Sequence, residues 1–182
     1  MTGNAESENF VGDLVNRKNI ILVGMMGTGK STVGILIAES LGYEFVDLDQ
    51  VIIEQEGRSI PEIFAERGED YFRTVETAVL KRVVQSEGRV ISTGGGSVLA
   101  SENTNLMLEN GFVAALTATA EEILSRVGAD ANRPLLAGNA EERIKRLLEE
   151  RKDAYLFAHC TVDTSGLLAA QVSQHILIRY RG

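Results

Sequence analysis

Short apolar runs alternate with longer stretches of helical periodicity along most of the chain. Residues 20–23 form an unbroken apolar run, which is typical of a strand buried on both faces. Four further strands are predicted over residues 43–47, 89–93, 112–117 and 161–163. Strands that alternate with helices at this spacing predict an α/β fold with three layers, α/β/α, around a five-stranded parallel sheet.

Apolar residues recur at helical spacing between the predicted strands. This periodicity predicts helices over residues 30–41, 49–55, 60–67, 69–86, 101–110, 119–126 and 140–157, and a last helix after residue 165. Gly68 is expected to separate the third helix from the fourth. Ser165 is expected to cap the last helix, with Leu168, Val172 and Ile176 on its apolar side.

Two segments lie outside this regular pattern. Residues 127–140 carry many glycine, proline, aspartate and asparagine residues and show no periodicity, so they predict an excursion from the core. Residues 1–18 lack the apolar centre of a signal peptide and predict a flexible N-terminal extension. The remainder, residues 19–182, is predicted to form a single domain.

The stretch from Gly24 to Ser31 has the spacing G-x-x-x-x-G-K-[ST] between the first strand and the first helix. Glycines let backbone N–H groups surround a phosphate, and the positive end of the following helix adds to the attraction. Lys30 can then reach the outer phosphates, and Ser31 offers a hydroxyl to Mg²⁺. The alternative is a glycine turn with a chance lysine, but the flanking strand and helix favour phosphate binding.

Polar and glycine residues follow the next two predicted strands. Asp47 and Asp49 end the second strand, and the glycine loop, Gly94–Gly96, follows the third. Ligands of parallel sheets bind at the carboxyl ends of the strands, so these groups are expected to converge. Asp47 is the better candidate for a metal and Asp49 for substrate, although both could be helix-capping aspartates. The three glycines indicate close approach of a ligand, a sharp turn, or both.

Three arginines are candidates for binding anions. Arg73 lies one helical turn from Glu76 and could simply pair with it. Arg133 lies in the irregular excursion, where an arginine could reach a transferred phosphoryl group; the alternative is an ordinary exposed loop arginine. Arg151 follows two glutamates, so surface ion pairing is its default interpretation.

Composition limits the function classes. The chain has 182 residues, 44% of them hydrophobic and 24% charged, as in an ordinary globular protein. Its net charge of -8 argues against duplex nucleic acid as a partner. No apolar stretch is long enough to span a membrane. Cys160 is the only cysteine, which excludes an internal disulfide and suits the cytoplasm, and it is interpreted as structural together with His159 and His175.

The motifs together resemble the shikimate kinase family, a group of P-loop kinases. The similarity covers nearly everything from Asn19 to the last helix and rests on motifs in the family's order. These are Gly24-Met-Met-Gly-Thr-Gly-Lys-Ser-Thr32, Asp47-Leu-Asp49, Gly57-Arg-Ser-Ile60, Phe72-Arg73-Thr-Val-Glu76, Gly94-Gly-Gly96, Arg133-Pro-Leu-Leu136 and Glu150-Arg151. The chain departs from many relatives at Ser165-Gly166-Leu167, beside the expected adenine site.

The resemblance implies transfer of the ATP γ-phosphate to the 3-hydroxyl of shikimate, with Mg²⁺ as cofactor and ATP as co-substrate. It assigns Ser31 and Asp47 to the metal, Arg126 to the adenine and Arg133 to a mobile lid over about residues 127–140. The expected catalytic residues are Lys30, Asp49 and Arg133. The ATP phosphates are expected on Gly27, Thr28, Gly29, Lys30, Ser31 and Thr32.

The resemblance also implies an acceptor site within and around residues 49–77. Asp49 would contact the ring hydroxyls, and Arg73 and Arg151 would bind the shikimate carboxylate. Glu76 would orient Arg73, and the glycines Gly94, Gly95 and Gly96 would complete the site. We expect a cytoplasmic monomer. The alternatives are a different small-molecule kinase, such as gluconate kinase, and a kinase-like regulatory protein without turnover.

Overall fold

A five-stranded parallel sheet lies at the centre of the computed structural model, which describes residues 18–127 and 139–182. Its strands in chain order are β1 (Asn19–Gly24), β2 (Glu44–Asp47), β3 (Arg89–Ser92), β4 (Gly111–Thr117) and β5 (Cys160–Asp163). Their order across the sheet is β2-β3-β1-β4-β5, and every neighbouring pair is parallel. The predicted parallel sheet is therefore confirmed.

Helices connect the strands and cover both faces of the sheet. Within the described ranges they are α1 (Lys30–Leu41), α2 (Leu48–Glu56), α3 (Ile60–Val83), α4 (Ser101–Asn110), α5 (Ala120–Val127), α6 (Ala140–Glu150) and α7 (Ala169–Arg181). A short 3-10 turn, Ser97–Leu99, follows the glycine loop. None of these helices is long and apolar enough to cross a membrane.

The central strand β1 shows why the fold has three layers. All six of its residues are buried, and successive side chains of a strand point to opposite faces. Ile21 and Val23 pack into a core with residues from α2 to α6, whereas Ile20 and Leu22 pack into a second core with α1 and α7. The unbroken apolar run of β1 thus supplies both cores, as the sequence predicted.

The two helices predicted on either side of Gly68 form one hydrogen-bonded span, α3. Gly68 interrupts it with a non-helical backbone conformation (φ 83°, ψ 172°), so the predicted break is present as a kink. The capping box at its start is also present, because Ser59 and Glu62 bond each other's backbone N–H groups. The helix ends at Val83, three residues before its predicted end.

The helix predicted over residues 140–157 is too long, because α6 ends at Glu150. The chain continues in tight turns, in which Ala154 N–H bonds Arg151 O at 2.9 Å and Ala158 N–H bonds Tyr155 O at 3.2 Å. Arg151 and Tyr155 are 4% and 8% exposed. Tertiary burial of these two side chains accompanies the change from helix to turns.

The expectation that Ser165 caps the last helix is wrong. The amide of Ser165 bonds the Asp163 carboxylate at 2.9 Å, and Gly166 turns the chain with a φ of 68°. The last helix, α7, begins only at Ala169. Leu168, which was predicted on its apolar side, lies before the helix and is 73% exposed.

The buried side chain of Asn19 fixes the approach of β3 to β1. Its Nδ2 donates to Ser86 O at 2.7 Å and to Val84 O at 3.3 Å, and its Oδ1 accepts from the amide of Arg89 at 3.0 Å. Asn19 is 1% exposed, so these bonds are made away from water. One amide side chain therefore joins the end of α3 and the start of β3 to the central strand.

Replacing Asn19 tests this connection. Asn19→Ala should lower the free energy of unfolding by about 2–4 kcal/mol, because buried backbone groups lose their partners. Urea unfolding of the two proteins measures the difference. Asn105→Ala on the exposed side of α4 is the control and should change stability by less than about 0.5 kcal/mol. An equally small loss for Asn19→Ala would contradict the assignment.

Candidate active site

The chain turns tightly between β1 and α1. Gly27 and Gly29 have φ angles of 73° and 91°, in the left-handed region that favours glycine. Thr28 is buried and its Oγ1 donates to Met25 O at 2.8 Å, which holds the turn closed. The turn therefore has the backbone geometry that the phosphate-binding motif predicted.

The first turn of α1 is suited to an anion. The helix begins at Lys30, has no side-chain cap at Gly29 and has no acidic residue in its first turn. Unbonded N–H groups and the helix dipole attract negative charge there. The Lys30 ammonium is close by, where Nζ donates to the carbonyl oxygens of Gly24 and Met25, both at 2.8 Å.

Three oxygen-bearing side chains meet beside this helix start. Ser31 Oγ donates to Asp47 Oδ2 at 2.9 Å and lies 3.4 Å from Ser92 Oγ. Hydroxyl and carboxylate oxygens are the ligands that Mg²⁺ prefers, so the donor set fits this ion. In the part of the chain that the structure describes, no three His, Cys, Asp or Glu residues are grouped to hold a metal alone. Bound phosphate and water would have to supply the further ligands.

The two aspartates at the junction of β2 and α2 differ in their contacts with the backbone. Asp47 Oδ1 accepts from the amides of Asp49 and Gln50, at 3.0 and 3.3 Å, and so caps α2. Its second oxygen, Oδ2, is the one bonded to Ser31. The capping interpretation and the metal-site interpretation are thus compatible for Asp47. Asp49 instead lies in the first turn of α2.

The glycine loop is packed against the other candidate residues. A Cβ at Gly94 would lie 2.8 Å from Glu76 Oε1 and 3.2 Å from Asp49 Oδ1. A Cβ at Gly96 would lie only 2.4 Å from Arg73 Nη2. None of the three glycines has a positive φ. Close side-chain approach therefore favours glycine at residues 94 and 96, and the loop also turns, because the amide of Ser97 bonds Gly94 O at 3.1 Å.

Arg73 is oriented by carboxylates on its own helix. Its Nη1 donates to Glu76 Oε2 at 2.9 Å, and its Nη2 donates to Glu69 Oε1 at 3.1 Å. Glu76 is fully buried, and its other oxygen accepts from Ser97 Oγ at 2.5 Å. Burial disfavours the charged form of Arg73, but the two carboxylates outweigh it and raise the pKa of the guanidinium.

Arg151 reaches the same loop from the end of α6. It is 4% exposed, and its Nη1 lies 3.7 Å from Met25 Sδ. A Cβ at Gly95 would lie 3.4 Å from the same nitrogen. The default interpretation of Arg151, surface pairing with its glutamate neighbours, is therefore wrong, because the side chain is buried beside Gly95.

Arg126 lies at the end of α5, against the phosphate-binding turn. Its Nη1 donates to Gly27 O at 2.8 Å, and its Nη2 pairs with Glu122 Oε2 at 3.4 Å. Glu122 Oε1 also accepts from the amide of Gly166 at 3.0 Å. Arg126 is thus placed between the phosphate-binding turn and the loop after β5, where the departure from the family pattern occurs.

A cleft of about 680 Å³ joins most of the predicted residues. Those that line it are Gly27, Gly29, Lys30, Ser31, Thr32, Asp47, Asp49, Gly94, Gly95 and Arg126. Thr28, Arg73, Glu76, Gly96 and Arg151 are absent from the lining. Gly96 belongs to the loop that forms one wall, and Arg73, Glu76 and Arg151 pack against that loop. Arg133 and residues 128–138 of the lid, like residues 1–17, lie outside the described residues.

Three polar residues at the site had no role in the sequence-based prediction. Ser92 faces Ser31, Ser97 bonds Glu76, and the Tyr155 hydroxyl donates to Gly95 O at 2.8 Å. Ser92 and Ser97 lie close to the glycine loop in the sequence, and this proximity is the signal that could have identified them as site residues. Tyr155 follows Arg151 by four residues, but its contact depends on turns that the sequence pattern did not predict.

Comparisons with known proteins agree on one family. The family model described as shikimate kinase matches residues 26–181. A shikimate kinase of Persephonella marina is 47% identical over 164 residues, which are 90% of this chain and 99% of that protein. One of Geobacter sulfurreducens is 48% identical over 150 residues, 82% of this chain and 83% of that protein.

A solved structure agrees with the sequence comparisons. It is that of shikimate kinase from Acinetobacter baumannii in complex with shikimate, which has a TM-score of 0.86 and 41% identity. The match covers 88% of this chain and 90% of that one. The matched family model, the sequence identities and the shared fold together show that the chain belongs to the shikimate kinase family.

Proposed function

We propose that this chain transfers the γ-phosphate of ATP to the 3-hydroxyl of shikimate, giving shikimate 3-phosphate and ADP. One observation supports this function best: the glycine loop brings Asp49, Arg73 and Arg151 together beside the phosphate-binding turn. This arrangement offers two guanidinium groups to a carboxylate and a carboxylate to a hydroxyl. Shikimate carries both of these acceptor groups on one small ring.

The nucleotide phosphates would bind to the N-terminus of α1. The backbone of residues 27–32 would donate to them, and Lys30 would exchange its carbonyl partners for the outer phosphates. Ser31 and Asp47 would hold Mg²⁺, which neutralises phosphate charge when it is bound. Arg126 would lie against the adenine, and Arg133 would meet the charge on the transferred group.

The acceptor would bind on the side of the glycine loop. Arg73 and Arg151 would bind its carboxylate, because the planar guanidinium matches carboxylate geometry. Glu76 would hold the Arg73 guanidinium in place. Asp49 would position the attacking hydroxyl, since the loose transition state of phosphoryl transfer requires little general-base catalysis.

Several broader assignments complete the proposal. Residues 19–182 would form a single kinase domain with an acceptor region over about residues 49–77 and a mobile lid over about residues 127–140. Residues 1–18 would form a flexible extension. The enzyme would act as a monomer in the cytoplasm, without nucleic-acid or membrane partners.

An acceptor assay tests the function. ADP release should be fast with ATP, Mg²⁺ and shikimate, because the ring of this acceptor holds its carboxylate and the attacking hydroxyl at a fixed spacing. Gluconate carries both kinds of group, but on an open chain. ADP release with gluconate or without an acceptor should stay near background. A coupled spectrophotometric assay measures all three rates. Turnover with gluconate alone would favour the other kinase, and no turnover with either would favour a regulatory protein.

Removing the Arg73 guanidinium should affect the acceptor only. Arg73→Ala should weaken shikimate binding by roughly 2–4 kcal/mol, because a partly buried carboxylate loses one of its charged partners. The affinity for ATP should barely change. Titration of each ligand measures both effects. Arg82→Ala, on the exposed face of the same helix, is the control and should change neither. Equal losses for both ligands would contradict the assignment.

A methyl group at Gly96 should displace the same guanidinium. The backbone of Gly96 has φ -96° and ψ -1°, which alanine tolerates, but its Cβ would clash with Arg73. Gly96→Ala should therefore raise the KM for shikimate about tenfold while the melting temperature changes little. In an Arg73→Ala background the same substitution should add almost nothing. Full additivity would mean that Gly96 does not act through Arg73.

A further inference from the structure

A single hydrogen bond joins the Arg151 segment to the glycine loop. The hydroxyl of Tyr155 donates to Gly95 O at 2.8 Å, across 60 residues of sequence. The tyrosine ring belongs to the apolar core and is 8% exposed. Burial raises the pKa of Tyr155, which outweighs the opposing effect of Arg151. The hydroxyl therefore keeps its proton and stays a donor at neutral pH.

The carbonyl of Gly95 differs from those of its two neighbours. Gly94 O accepts from the amide of Ser97 across the loop itself, and Gly96 O accepts from the amide of Leu99 in the 3-10 turn that follows. Gly95 O is bonded by Tyr155 instead. Glycine has no side chain to restrict its backbone, so an outside contact is needed to fix the orientation of this peptide unit.

Both arginines of the acceptor site pack against this part of the loop. Arg151 lies on the same run of turns as Tyr155, four residues earlier, and its Nη1 approaches Gly95. Arg73 packs against the next residue, Gly96. The two guanidinium groups come from distant parts of the chain and approach the loop at the adjacent residues Gly95 and Gly96.

We propose that Tyr155 is a positioning residue for the acceptor. Its hydroxyl fixes the Gly95 peptide unit and keeps the Arg151 segment against the loop, so that Arg151 and Arg73 face one carboxylate at a constant spacing. This inference rests on the proposed function. The hydroxyl contacts neither the nucleotide site nor the reacting atoms and acts only through Gly95 and Arg151.

Tyr155→Phe isolates the contribution of the hydroxyl, because it removes one oxygen and keeps the buried ring. At saturating ATP the KM for shikimate should rise about tenfold, the effect of roughly one lost hydrogen bond. At saturating shikimate the KM for ATP should stay within about twofold of the original. Initial rates of ADP release over both substrate ranges give the two constants and kcat.

The chain offers a matched control on the other side of the sheet. Tyr180 packs in the second core, and its hydroxyl lies 3.0 Å from Tyr43 Oη and donates to Lys18 O at 2.9 Å. Tyr180→Phe therefore also removes a bonded hydroxyl, but one remote from the cleft. It should lower the melting temperature at least as much as Tyr155→Phe and leave both KM values unchanged.

A double substitution tests whether Tyr155 acts through Arg151. If it does, Tyr155→Phe should raise the shikimate KM much less in an Arg151→Lys background than in the original chain. An unchanged shikimate KM in folded Tyr155→Phe, or an equal rise for ATP, would overturn the inference while the proposed function stands. An original chain without shikimate turnover would overturn both.

Discussion

The close approach of three side-chain groups to three glycines is the constraint on which the site depends. Cβ atoms at residues 94, 95 and 96 would meet Glu76, Arg151 and Arg73 at 2.8, 3.4 and 2.4 Å. These side chains come from α3 and from the turns after α6, two segments that also share one hydrophobic core. A backbone without side chains lets them meet at one wall of the cleft. The glycines thus provide space for the site as well as a turn.

The same loop explains how an acidic protein can bind two anions. The chain has a net charge of -8, so its overall field repels both ATP and a carboxylic acid. Under the proposed function, the attraction comes from local groups, which are the start of α1, Lys30 and the arginines at the glycine loop. Buried ion pairs contribute little to stability, so the pair of Arg73 with the fully buried Glu76 is better explained by orientation of the guanidinium.

The sequence predicted those parts of the molecule in which local pattern and tertiary structure agree. The apolar run of β1, the glycine spacing before Lys30 and the capping box at Ser59 are each determined within a few residues. The prediction failed where distant contacts decide, as in the turns after Glu150, which bury Arg151 and Tyr155. No local pattern distinguishes an arginine that pairs on a helix surface from one that packs against a glycine 56 positions away, as Arg151 does with Gly95.

The strand order gives the glycine loop its central position. In the order β2-β3-β1, β3 lies between the strand that ends at Asp47 and the strand that leads into the phosphate-binding turn. The loop after β3 therefore stands between the aspartates and Lys30 at the carboxyl edge of the sheet. Side chains at residues 94 and 96 would instead occupy the space that Glu76 and Arg73 now fill. Under the proposed function, the donor phosphate and the acceptor hydroxyl meet beside this loop, and its bare backbone leaves them room.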